Sequence, residues 1–249
     1  MIDILKTVLP SPEQMEMVIE GMRNPMNSWD KSDSYKTVVE DPVTLETADY
    51  EFFVGENDLS LMRRLAAGGP VHANYRRMIP VFVTINAPLY WWKEFDTYKV
   101  GTVCNSCSTM HKIHDKEFTL EDFSHDHLID DREFCWRENI MAGSEYMDSP
   151  EEMLLEVIHA LNIYREKYLT ALKTEEHTGY SAKDMWWQMI QLLPSSYNQR
   201  RTVMLNYEVL HNIYISRKEH KLDEWRKFCE WIEDLPYSEL ITGISEDDG

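Results

Sequence analysis

Apolar and polar positions change rhythm several times along the chain, and each change predicts an element. From Ser11 to Asn24, Met15, Met17, Val18 and Met22 recur among glutamates, a spacing that lays one apolar stripe on a helix opened by Ser11 and Pro12. Asn24 to Trp29 breaks the rhythm as a loop or turn, in which Trp29 either packs the loop itself or lines a pocket with Asp30. Lys31 to Glu56 is polar and acidic and is expected to cross the surface. Pro80 to Ile85 is rich in β-branched residues and closed by proline, which predicts a short, mostly buried strand. Ser149 and Pro150 then open a long amphipathic helix, with Met153, Leu154, Val157, Ile158, Leu161 and Tyr164 on its apolar face. With further helices over 88–100 and 200–218, the pattern predicts an α+β fold, a central antiparallel or mixed sheet around strand 80–85 carrying long helices. Met141 to Asp148 and Thr174 to Ala182 read as connectors, and the acidic tail from Ser245 as solvated.

Composition narrows the function. The 249 residues are 43% hydrophobic, enough for a large core in one domain spanning 1–249. Acids outnumber bases 44 to 25, for a formal charge of −19, which argues against wrapping a nucleic-acid backbone but leaves a free nucleotide open. No run approaches the roughly 18 apolar residues that span a bilayer, and the first residues lack a basic, apolar leader, so the protein is expected in the cytoplasm. Against the acidic background, Leu61 to Met78 carries Arg63, Arg64, Arg76 and Arg77 without one acid, and Arg200-Arg201 is a further adjacent pair. Arg76, Arg77, Arg200 and Arg201 are therefore candidate phosphate ligands, because a planar guanidinium takes two oxygens at once. The other reading is a solvated helix face.

Four cysteines, Cys104, Cys107, Cys135 and Cys229, are too few for a disulfide scaffold. Cys104, Cys107, His111 and His114 are of zinc-ligand type, but on a helix they would spread over about 15 Å, too far for one tetrahedral ion. A packed or site-lining stripe is the preferred reading, and no metal is expected. His125 and His127 read as exposed loop histidines. On a helix over 200–218, Asn206, Leu210, Ile213 and Arg217 share one stripe, with polar groups about 16 Å apart at its ends. Asn212 points roughly 140° away from Arg217. One small ligand cannot touch all three, and the two asparagines either meet ligands or satisfy local backbone.

From Ala87 onward the chain resembles the flavin-dependent thymidylate synthases. Ala87-Pro88 fits that family's strand-to-helix junction. Thr97-Tyr98-Lys99 falls on its Arg-His-Arg, Thr102 on the following Ser, Asn105-Ser106 and Ser108 on Asn-Glu and Ser, and Met110-His111 on Arg-Tyr. A second block, Leu193-Pro194, Arg200, Asn206, Leu210, Asn212 and Arg217, matches without a gap, although Glu208 and Ile190 stand where the family has arginines. The resemblance implies an enzyme that transfers a one-carbon unit to C5 of a pyrimidine nucleotide such as dUMP. FAD would be the cofactor, with NADPH and methylenetetrahydrofolate as the other components, and the assembly a homotetramer with sites between subunits. By the same resemblance Lys99, Thr102, Asn105, Ser108, Asn206 and Asn212 bind cofactor, and Arg217 holds the nucleotide and stabilises charge on its ring. No cysteine is essential. The alternatives are a catalytically silent nucleotide-binding or structural protein on the same fold, and an unrelated, metal-dependent enzyme.

Overall fold

The computed structural model describes residues 1–40, 47–131, 149–173 and 179–243. Cys135, the 141–148 connector, most of the 174–182 connector and the acidic tail lie outside them. Six strands run β1 Asp3–Val8, β2 Tyr35–Glu40, β3 Thr47–Phe53, β4 Pro80–Pro88, β5 Val103–Ser106 and β6 Asn198–Asn206. The helices are α1 Pro12–Arg23, α2 Glu56–Ala67, α3 Leu89–Phe95, α4 Thr109–Lys112, α5 Pro150–Lys173, α6 Ala182–Leu192, α7 Tyr207–Arg217, α8 Asp223–Glu233 and α9 Glu239–Thr242. The chain divides into two compact units, one of residues 2–85, 95–105 and 201–249, the other of Met1, 86–94 and 106–200.

The first unit holds most of a four-stranded sheet in the order β1-β4-β6-β5. Val81, Val83 and Ile85 of β4 and Val203 and Leu205 of β6 are buried, the two-residue period of strands with one face in a core. On exposed positions Thr84 and Thr202 share a hydroxyl hydrogen bond of 3.0 Å. The helix expected over 200–218 is thus corrected: its first part is β6, and Asn206 ends the strand and caps α7, accepting from Val209 N–H at 3.1 Å. The helix expected over 88–100 stops at Phe95, where Tyr98 N–H turns back to the Phe95 carbonyl and the chain passes into Gly101 at φ +79°. Lys31 to Glu56 is not a plain surface crossing either, since β2 and β3 pair there as an antiparallel hairpin.

The N-terminal helix forms as its pattern predicts. Ser11 and Gln14 make a reciprocal capping box, and Val18, Ile19 and Met22 are buried. Its last residue, Arg23, is buried against Asp58 of α2, with 2.5 Å between Nε and Oδ1. The other carboxylate oxygen accepts from the hydroxyls of Ser32 and Ser34, each at 2.7 Å, and from the Asp33 and Ser34 amides. Burial works to raise the Asp58 pKa, but hydrogen bonds from Ser34, Ser32 and Arg23 outweigh it and hold the carboxyl below its usual range. Trp29 donates to Asn24 Oδ1 at 2.8 Å and lines a cavity of about 470 Å³ with Glu16, Glu20 and Tyr35; Asp30 is not part of its wall.

The second unit is built on α5 and α6, with Leu154, Ile158, Leu161 and Met189 packed around Phe118 and Phe123. The helix expected to open at Ser149 and Pro150 runs to Lys173, its apolar face closing this core. Trp91 and Trp92 are fully buried, and Trp92 Nε1–H donates to the Gln199 carbonyl at 2.8 Å. No helix among the described residues is long and apolar enough to cross a membrane.

Candidate functional site

In the first unit, residues 95–105 meet α7 where most of the predicted site residues lie. Beyond the Phe95–Tyr98 turn the segment reaches the start of the helix at Gly101, where a Cβ would stand 3.1 Å from Val209 Cγ2 and 3.2 Å from Asn206 Nδ2. A side chain here would press on both neighbours, and glycine accepts φ +79° without strain. At the other end of α7, Arg217 Nε–H donates to the Tyr98 hydroxyl at 2.9 Å. Its guanidinium carbon lies 4.7 Å from the centroid of the Trp225 ring and 5.7 Å from that of Tyr98, within cation–π range. Arg201 pairs with Asp96 at 2.8 Å.

Nine of the predicted site residues belong to the first unit: Arg76, Arg77, Lys99, Thr102, Asn105, Arg201, Asn206, Asn212 and Arg217. Lys99, Asn105 and Asn212 are exposed. The Thr102 hydroxyl is buried without a hydrogen-bond partner among the described residues. Asn206 uses its side-chain oxygen as the α7 cap. Arg217 and Asn206 occupy opposite ends of the helix, about 16 Å apart at 1.5 Å per residue. In the second unit, Ser108 caps α4, its hydroxyl accepting from His111 N–H at 3.2 Å, and Arg200 is exposed, its carbonyl accepting from Cys107 N–H.

Arg76 and Arg77 part company on a short 3-10 helix over Asn74–Met78. Arg77 is exposed. Arg76 is buried, donates from Nη1 to the Leu240 carbonyl at 3.0 Å, and faces Glu208 with 2.8 Å between Nη2 and Oε2. The two charged groups touch as an ion pair but are not aligned as a hydrogen bond. Glu208, the acid at an arginine position of the resembling family, is thus the buried counter-ion of a candidate phosphate ligand.

Cys104, Cys107, His111 and His114 do not share one helix, since Cys104 lies on β5 and His111 on α4. Among the described residues no group of His, Cys, Asp or Glu is arranged to hold a metal ion. Cys229 is buried behind Arg217 on α8, its thiol pushed up to about 12 by burial and by the Glu233 and Glu230 charges, against the opposing charge of Arg217.

Trp225 escaped the sequence reading of the site. Its signal was the strong stripe of Trp225, Phe228, Cys229 and Ile232, spaced i, i+3, i+4 and i+7, which turns α8 toward the core. Its contact with Arg217 has no local signature.

No protein-family model matches the chain, and no curated protein matches it. Several solved structures do. Thymidylate synthase X (ThyX) from Helicobacter pylori with FAD and dUMP is 15% identical, with 99% of this chain and 97% of that chain covered at a TM-score of 0.53. A second structure of that flavin-dependent enzyme with FAD and dUMP gives 14%, 99%, 98% and 0.51. The UMP/dUMP methylase PolB from Streptomyces cacaoi, bound with 5-Br dUMP, gives 14%, 98%, 95% and 0.54. At such identities the likeness establishes the fold: this chain has the α+β fold of ThyX.

Proposed function

We propose that the chain binds a pyrimidine nucleotide of the dUMP type beside a flavin and transfers a one-carbon unit to C5 of the ring. The observation that carries this reading is the bond from Arg217 to Tyr98, which joins the two stretches of sequence resembling the flavin-dependent synthases. Arg217 acts as a preorganised cation for negative charge developing on the pyrimidine, an effect worth about a hundredfold to a thousandfold in rate. Within the first unit Arg77 is the exposed arginine proposed for the phosphate, while Arg76 is committed to Glu208 and Arg201 to Asp96.

The residues present fit FAD. The orphaned Thr102 hydroxyl offers a hydrogen bond, and Lys99, Asn105 and Asn212 are exposed. These, with Asn206, would hold the cofactor. FAD, when bound, supplies the redox chemistry; NADPH and methylenetetrahydrofolate are the proposed co-substrates. Because Asn206 and Arg217 cannot reach one small ligand from opposite ends of α7, the proposal includes a homotetramer in which each helix serves more than one site.

The purified protein is expected to show a flavin absorption spectrum and to release tritium from C5-labelled dUMP, with release abolished by Arg217→Ala and retained by Cys104→Ser and Cys107→Ser. The reverse pattern in the variants sinks the mechanism. A second reading, a silent nucleotide-binding protein on this fold, is favoured by the Arg76–Glu208 pair, which neutralises charge where the resembling family has a cation. It predicts dUMP binding without tritium release.

A further inference from the structure

We propose that Tyr98 and Trp225 are positioning residues that set the orientation of the Arg217 guanidinium, and that nucleotide affinity depends on them through Arg217 alone. This rests on the reading that Arg217 holds the nucleotide. An arginine side chain is long and rotamer-rich, so a preorganised guanidinium needs something to hold its plane. Tyr98 and Trp225 supply that hold. Nε–H is bonded to the Tyr98 hydroxyl at 2.9 Å, the guanidinium carbon lies 4.7 Å from the centre of the Trp225 ring, and the Tyr98 ring approaches at 5.7 Å.

The rings are themselves fixed. Tyr98 and Trp225 meet edge to face at 6.0 Å. Trp225 is fully buried, stacked on Phe95 at 6.3 Å with 14° between planes and set edge-on to Phe228 at 6.1 Å. The bracket is therefore anchored in the core although the arginine itself is only half-buried. It also joins three pieces of chain, the turn after α3, the end of α7 and the start of α8. The position that carries a histidine in the resembling family is here a phenol, whose oxygen accepts the Nε proton.

A double-mutant cycle on the full-length protein tests this, with dUMP affinity measured by titration calorimetry and folding followed by thermal unfolding. Tyr98→Phe keeps the ring and removes the acceptor, and is expected to weaken dUMP binding about tenfold, the scale of a hydrogen bond to a charged group. In an Arg217→Ala background the same substitution should change affinity less than about twofold, because nothing remains to position. Trp225→Phe, which keeps an aromatic face, should retain more affinity than Trp225→Leu. An undiminished Tyr98→Phe effect in the Arg217→Ala background, or wild-type affinity in Tyr98→Phe, overturns the inference. If dUMP does not bind the wild-type protein, or binds Arg217→Ala equally well, the functional reading fails and takes this inference with it.

Discussion

Replacing Glu208 with alanine should destabilise the first unit more than any loss of contact area predicts. The side chains of Arg76 and Glu208 are 2% and 7% exposed. At their 2.8 Å separation the attraction is roughly 6 kcal/mol for an effective dielectric of about 20. Much of that offsets the desolvation of both groups. Glu208→Ala keeps the desolvation of Arg76 and removes the compensation, leaving only the Leu240 carbonyl, and such losses run to about 3–5 kcal/mol. With a urea slope of about 3 kcal/mol per molar, the unfolding midpoint should fall by about 1–1.7 M, read by tryptophan fluorescence. Removing both charges together, in Arg76→Met with Glu208→Leu, should recover most of the loss, since apolar replacements of a buried pair are often neutral. A shift below about 0.3 M for Glu208→Ala, which is under about 1 kcal/mol, or a double variant as unstable as the single one, would refute this account.

Other substitutions probe the remaining features. Gly101→Ala should cost about 1–2 kcal/mol for the left-handed backbone alone, and more as its Cβ presses on Val209 and Asn206; urea denaturation against wild type measures it. The depressed pKa of Asp58 means that its contribution is fully present above the unfolded value near 3.9 and is lost as pH falls through the lower folded value. Acid titration by circular dichroism should accordingly show a weaker loss of stability below about pH 4 in Asp58→Asn than in wild type, and Asp58→Asn should already be less stable at pH 7. In brief iodoacetamide labelling, mass spectrometry should find Cys104 and Cys107, both exposed, modified before Cys229, whose thiol is held near 12; early modification of Cys229 would contradict its burial.

Where local chemistry decides structure, the sequence was readable. Ser11 with Gln14 opens α1 as a capping box, and Ser149-Pro150 opens α5. Proline and β-branched residues mark β4, although Asn86 to Pro88 extend it beyond the expected end. The hairpin of β2 and β3 was missed because Tyr35, Val38 and Tyr50 are exposed apolar residues that blur the contrast between its faces. The strand β6 was missed for a different reason. Asn206, Leu210, Ile213 and Arg217 fall at helical intervals, yet the first of them is a cap, and Val203 and Leu205 carry the two-residue alternation of a strand. At the candidate site, Arg217 was legible only through resemblance. Its partner Tyr98 lies 119 positions away, and Glu208 meets Arg76 across a comparable gap, so neither pairing leaves a mark in any local window.

The order of strands also governs how the molecule comes into being. β4 sits between β1 and β6, and the Thr84 to Thr202 bond spans 118 positions. Trp231 of α8 returns to the Thr7 hydroxyl across 224. During synthesis β4 therefore leaves the ribosome with one flank lacking its partner, and the wait until β6 is made lasts about 6–24 s at about 5–20 residues per second. Long-range pairings of this kind also close slowly after release, because loop entropy is lost before contact is gained. Through that interval Val81, Val83 and Ile85 present an unpaired apolar edge of the kind on which other chains add strands.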